Sequence, residues 1–318
     1  MDLDSTFAFK PTTPLEPTTS EAGVTAPPQE ADGTLLNELI GEWKGSGLNI
    51  IWRPVQESLG SDHFLEINVT SEDLVFEEIP GKIPNRGFLQ GGLFMTGLHY
   101  LQQVSDSNLN AGLHVEPGVW LSIPATVDPP VPATVARLAS IPHGTTVVAQ
   151  GFLTTANQAP QIPVAPITPF AINSPGSTFT FDEQTLSTES KFRTGEKGLT
   201  GVTQDMLNSP NSILAVPNEK IVRTTTFQVF TQANAPLVGG GTANTAFLQG
   251  LPPADIPPPV LGPNADAAEL TATFWLQTTE GSDKPDLLQY SQTVLLNFND
   301  ISWPHVSVAT LRRKHRLL

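Results

Sequence analysis

An all-β fold, an antiparallel barrel of about ten strands, is what this sequence predicts, and three observations predict it. Thirty prolines and twenty-five glycines are spread through 318 residues, which breaks up long helices and punctuates short strands. Glu269 to Gln277 alternates with a period of two, setting Leu270, Ala272, Phe274 and Leu276 on one face. Tyr290 to Phe298 is an uncharged β-forming run that meets Ile301 to Leu311 across Asn299-Asp300, which is turn chemistry. No unit repeats at a fixed period. Closure into a barrel follows from the hazard of open strand edges, and a barrel of this size encloses room for a ligand.

Met1 to Gly33 is rich in Pro, Thr, Glu and Ala with few large apolar groups, so it is expected to be a disordered arm. Residues 34–318 are read as one barrel domain. Thr34 to Ile40 places Leu35, Leu36, Leu39 and Ile40 on one side of a short helix that caps the sheet. Gly45 and Gly47 then precede a strand from Leu48 to Trp52, where they permit close backbone approach or a barrel corner. Further strands are expected over Phe64 to Val69, Asp73 to Ile79, Leu93 to Val104, Ala111 to Pro124, from Thr145, and over Ile221 to Thr231. Pro-rich insertions are expected near 80–92, 124–132 and 153–210, with a short helix after Thr203 broken at Pro210. Gly239-Gly240-Gly241 has no following lysine or helix, so it reads as a turn and not a phosphate loop. Leu251 to Pro263 is a further Pro-rich connection.

A formal charge of −15 disfavours nucleic acid or an anionic membrane surface as a partner. Absence of cysteine excludes disulfides, thiolate ligands, cysteine nucleophiles and haem attached through C-x-x-C-H. Any metal must be held by His, carboxylate, Tyr or Met. The sequence begins without a basic or apolar leader, so a cytoplasmic location is the expectation. No G-x-S-x-G or H-E-x-x-H pattern points to a hydrolase.

Chemistry concentrates on histidines. In the last strand, Trp303, His305, Ser307, Ala309 and Leu311 share a face, and the small side chains beside the imidazole leave a void that a flat ligand can fill. A structural histidine satisfied by its neighbours is the simpler account of the spacing alone. His114 and Glu116 lie two residues apart, so a strand points them to one face, where a carboxylate can orient an imidazole. Exposure of both on a solvated face is the alternative. His143 sits at a bend in Pro142-His143-Gly144, and His99 lies on the strand from Leu93.

Three separated segments resemble the nitrobindin family of haem-binding β-barrels. They are Gly41-Glu42-Trp43-Lys44-Gly45-Ser46-Gly47; His99-Tyr100-Leu101-Gln102 followed by His114-Val115-Glu116-Pro117-Gly118; and the ending Pro304-His305 with Ala309, Leu311 and Arg312. Pro142-His143-Gly144-Thr145 is similar to a variant of the family's H-P-T-G turn, and the order of the segments matches. The resemblance implies a ten-stranded barrel like that of fatty-acid-binding proteins and lipocalins, holding ferric haem b through His305 as the metal ligand. It implies distal or rim contacts from His143 and His114 and cofactor contacts from Arg53, Trp43 and His99, with Arg53 either paired to a propionate or simply a surface arginine. It also implies reactions with small nitrogen or oxygen oxidants: peroxynitrite isomerisation, nitric oxide scavenging or peroxidase-like chemistry. The large insertions are expected to reshape or cover the haem side. Two other functions fit the residues: a haem-free carrier of an apolar small molecule, and a cofactor-free enzyme with His114 and Glu116 as catalytic acid and base.

Overall fold

The structure, a computed structural model, describes residues 33–55, 59–88, 91–232, 239–250 and 263–314. The expected arm therefore lies outside the described residues, apart from Gly33, as does the Leu251 to Pro263 connection, apart from Pro263. Ten long strands form the barrel. In chain order with the smaller ones they are β1 (Gly41–Pro54), β2 (His63–Glu78), β3 (Ile83–Asn85), β4 (Leu93–Asp106), β5 (Ala111–Ile123), β6 (Thr126–Val127), β7 (Pro130–Val131) and β8 (Thr134–Ile141). After these come β9 (Thr145–Ala156), β10 (Phe170–Ala171), β11 (Ser174–Thr178), β12 (Ile221–Phe230), β13 (Gly241–Asn244), β14 (Asp266–Thr279), β15 (Leu287–Phe298) and β16 (Ile301–Arg313).

Antiparallel neighbours run β1-β2-β4-β5-β8-β9-β12-β14-β15-β16, and β16 returns to β1 from Trp43↔Arg313 to Ile51↔His305. The expected barrel is thus closed. Two strand expectations need correction: β2 runs unbroken through both expected segments, because Thr70, Ser71 and Glu72 stay paired to both neighbours. β8 occupies a stretch expected only as a run into a bend, and it pairs with β5 and β9.

The seam between β1 and β16 depends on the absence of side chains. A Cβ on Gly45 would lie 2.0 Å from the Thr310 carbonyl oxygen, and one on Gly47 would lie 2.2 Å from that of Val308. Below the seam the barrel is plugged by α1 (Gly33–Asn37) and the turn after it. Leu36 and Leu39 are buried against Leu74, Phe76, Leu98 and Trp120, and the Trp43 indole N–H donates to the Leu39 carbonyl at 2.8 Å.

The apolar interior fills this plugged half, as the alternation predicts: Leu270, Ala272, Phe274 and Leu276 all point inward. A second apolar layer covers the opposite face of β1, β2 and β16, where Leu48, Ile50, Ile67, Val306 and Val308 pack under the long insertion. Within that insertion lie α2 (Gln204–Asn208) and a 3-10 turn from Pro210 to Leu214, the expected helix broken at proline. Arg193 ties the insertion together by donating to the carbonyls of Glu183, Thr185, Leu186 and Thr188. No residue of 153–210 lines the barrel cavity, so this insertion covers the outer wall and not the ligand side. The cause is hydrophobic: the outward residues of β1 and β16 form an apolar surface that needs a cover. Trp303 joins this outer layer, stacked on Phe298 and Phe181, in place of sharing the cavity with His305.

Among the described residues no helix is long and apolar enough to cross a membrane.

Candidate functional site

Above the packed half, the barrel encloses a cavity of about 380 Å³. Its walls are apolar toward β4, β14 and β15, with Val104, Leu270, Val294 and Leu296, while Leu248 and Ala265 lie among the lining residues contributed by the connections. Such a volume and lining suit one small organic ligand.

His305 lines this cavity, as the alternation of β16 predicts, between Ile51 of β1 and Val294 of β15. By surface exposure it is half-buried. Burial, with His114 and His143 facing it, pushes the imidazole down to about 3, so it is neutral at physiological pH. Ser307 Oγ lies 3.5 Å from its Nε2, which is too long for a firm hydrogen bond.

His114 and Glu116 both reach the cavity, with His114 Nε2 3.3 Å from a Glu116 carboxylate oxygen. His143, at the turn between β8 and β9, lies beside His114 with ring centroids 5.4 Å apart. Burial pushes His143 below its usual range, and the neighbouring His114 adds to the effect. Glu116 is fully buried, and the Arg137 guanidinium beside it overcomes the cost of burial, holding the carboxyl near 2. Arg137 also donates to the Tyr100 hydroxyl at 3.0 Å and to the Gln292 amide oxygen at 2.6 Å, and Tyr100 donates to Glu116. Glu116 therefore orients His114 as a fixed anion.

Arg53 is at the cavity wall, but its Nε donates to Glu66 at 2.8 Å and its guanidinium sits 4.4 Å over the Phe64 ring. Trp43 and His99 do not line the cavity. Trp43 belongs to the plugged end, where Arg313 lies 4.2 Å over its ring. His99 is on the outward face of β4, 3.1 Å from Glu77, because Leu98, Tyr100 and Gln102 take the inward positions. Both stand in the resembling segments, yet the strand parity and the barrel end exclude them from the cavity.

A second polar group, absent from the sequence expectations, lies at the cavity's inner end. Glu72 is wholly buried and accepts from Thr70 Oγ1 at 2.8 Å, from the Tyr290 hydroxyl at 2.7 Å and from Gln102 Nε2 at 3.1 Å. Gln102 Nε2 also donates to Tyr290 at 3.0 Å, and both Gln102 and Tyr290 line the cavity. With no cation bonded to it, burial pushes Glu72 up, toward the neutral acid. Asn49 lines the cavity as well; it is 6 % exposed and its Oδ1 has no hydrogen-bond partner. Inward alternation was the signal available for Asn49 on β1, for Tyr290 on β15 and, through Leu74 and Phe76, for Glu72 on β2. Among the described residues no group of three His, Asp or Glu side chains converges to hold a metal ion by itself.

No family model matches the chain, and no curated protein matches it. Among solved structures it is similar to the crystal structure of Rv2717c from M. tuberculosis, with a TM-score of 0.41 and 14% identity over 89% of this chain and 97% of that one.

Proposed function

We propose that this barrel binds ferric haem b through His305 and acts on small nitrogen or oxygen oxidants. One observation carries the reading: a neutral imidazole, fixed on a central strand, opens into a cavity with no firm hydrogen bond to occupy its Nε2. A metal ligand must be deprotonated, and this one is so without any cost at neutral pH. His305 is the residue that would hold the iron. Bound there, haem would supply the iron chemistry for peroxynitrite isomerisation, nitric oxide scavenging or peroxidase-like reactions.

The chain's own residues do the rest. β16 holds the His305 ring by pairing on both sides, with β1 and β15. Glu116 fixes His114, and His143 stands beside it, so two imidazoles are available to hydrogen-bond a polar oxidant in the cavity. Arg53 can meet a carboxylate only by giving up Glu66. The test is an absorption spectrum of the purified protein and of protein titrated with hemin. A Soret band that disappears in His305→Ala is expected; a band unchanged by that substitution rejects the reading.

A haem-free carrier of an apolar small molecule is favoured by a different observation, the aliphatic walls of a cavity of about 380 Å³. Organic extraction would then release a ligand from protein whose visible spectrum is empty. The cofactor-free enzyme has less support, since Arg137 holds Glu116 ionised and leaves it no proton to donate at neutral pH.

A further inference from the structure

Both tyrosines of the chain, Tyr100 and Tyr290, are buried, and the hydroxyl of each donates a hydrogen bond to a buried glutamate. The two pairs differ in what else meets the carboxylate. Glu116, the partner of Tyr100, is ion-paired with Arg137, so a proton placed on it would leave a buried guanidinium uncompensated. Glu72, the partner of Tyr290, accepts among the described residues from the neutral groups of Thr70, Gln102 and Tyr290 itself. Three donors aimed at one carboxyl is the arrangement of a proton acceptor. Of the two tyrosines, Tyr290 lines the cavity and Tyr100 does not.

We propose that Tyr290 is a redox-active residue: it gives one electron to a small neutral radical that enters the cavity, while its hydroxyl proton passes to Glu72 across the 2.7 Å hydrogen bond. The phenolic O–H bond breaks and an O–H bond forms on the Glu72 carboxylate. The radical leaves as its anion, and Tyr290 becomes a neutral phenoxyl radical. Loss of the electron alone would create a cation in an apolar interior, so a base within hydrogen-bond reach is what the step requires. Proton transfer also discharges Glu72, and burial without a bonded cation, which pushes that carboxyl up, favours the protonated product. Gln102 Nε2 donates to the Tyr290 oxygen at 3.0 Å and to Glu72 at 3.1 Å, so it holds the two groups together before and after the proton moves. At Tyr100 the same step is blocked, because Arg137 makes Glu116 a poor base.

This role does not depend on haem, and its test separates the two. The probe is azide radical, generated by pulse radiolysis in azide solution, acting on full-length protein without added hemin. It is a small neutral one-electron oxidant, and its other preferred targets, the five tryptophans, are all buried and outside the cavity lining. A transient with the absorption and electron paramagnetic resonance spectra of a phenoxyl radical is expected in the wild type and in Tyr100→Phe, and is expected to be lost in Tyr290→Phe. Glu72→Gln keeps the shape of the site but removes the base, so the phenoxyl radical is expected to form at least about tenfold more slowly. His305→Ala, which abolishes the Soret band if haem is held there, is expected to leave the phenoxyl signal intact. Absence of the signal from the wild type, its survival in Tyr290→Phe, or an unchanged rate in Glu72→Gln overturns the assignment. Should Tyr290→Phe fail to fold, Tyr100→Phe decides, because Tyr290 is then the last tyrosine in the chain: a retained signal supports the assignment and a lost one overturns it.

Discussion

Two residues of the cavity wall, His305 and Glu116, each make the barrel lose stability in acid, over different pH windows. His305 is held near 3 against an ordinary value of 6.5, so below pH 6.5 the unfolded chain binds a proton that the folded one refuses. Stability is therefore complete above about pH 6.5 and declines as pH falls toward about 3. Substituting His305 by Leu is expected to flatten the urea midpoint over that window. The same property predicts that hemin affinity, so far as His305 governs it, holds constant from pH 7 to 5, where an ordinary histidine would already be lost to protonation. Glu116 has the carboxylate sign: its folded value near 2 lies below 4.5, so its stabilisation is present above pH 4.5 and disappears as pH falls through about 2. Removing its partner leaves a buried uncompensated charge, and Arg137→Ala is expected to cost about 3–5 kcal/mol in chemical denaturation. Neither effect was legible locally. His114 and Glu116 are close in sequence and their shared face was predicted, but Arg137 and Tyr100, on β8 and β4, reach Glu116 only because those strands flank β5.

Strand elements carry the closure. At Gly47 a Cβ would meet the Val308 carbonyl, the Thr70 hydroxyl and the Ala309 methyl all within 3.0 Å, and backbone cannot yield as a flexible side chain can. Gly47→Val is thus expected to open the pairing of β1 with β16, seen as a lower melting temperature and faster amide exchange from Asn49 to Ile51. The insertion is a separate device, held by Arg193, whose guanidinium reaches four carbonyls. Arg193→Ala is expected to expose residues 181–193 to limited proteolysis while the cavity still binds its ligand. The sequence foretold an insertion there but not its destination. Its proline spacing describes a connection, while the apolar outward face it covers is assembled from β1, β2 and β16, which lie far from it along the chain.

At the scale of the whole molecule, the barrel is divided along its axis. One half is closed by α1 and filled with Trp43, Phe76, Trp120 and Phe274, and the other half is hollow. That division explains the fate of the expected site residues: His305, His114, Glu116, His143 and Arg53 lie on the hollow half, Trp43 lies in the filled one and His99 lies on the outside. Period-two alternation, glycine at the seam, the Asn299-Asp300 turn and the leucines of the plug are local features, and the sequence by itself settled them. The turn residues do adopt positive φ, 50° and 58°, as a two-residue hairpin requires. Only the tertiary structure decided that β16 closes on β1, that Tyr290 meets Glu72 across 218 residues of chain, and that the Asn49 amide oxygen is buried without a partner. The reason is that parity along a strand says which side chains point together, whereas the neighbour a buried polar group finds depends on strand order, and strand order is set by long-range pairing that no single segment contains.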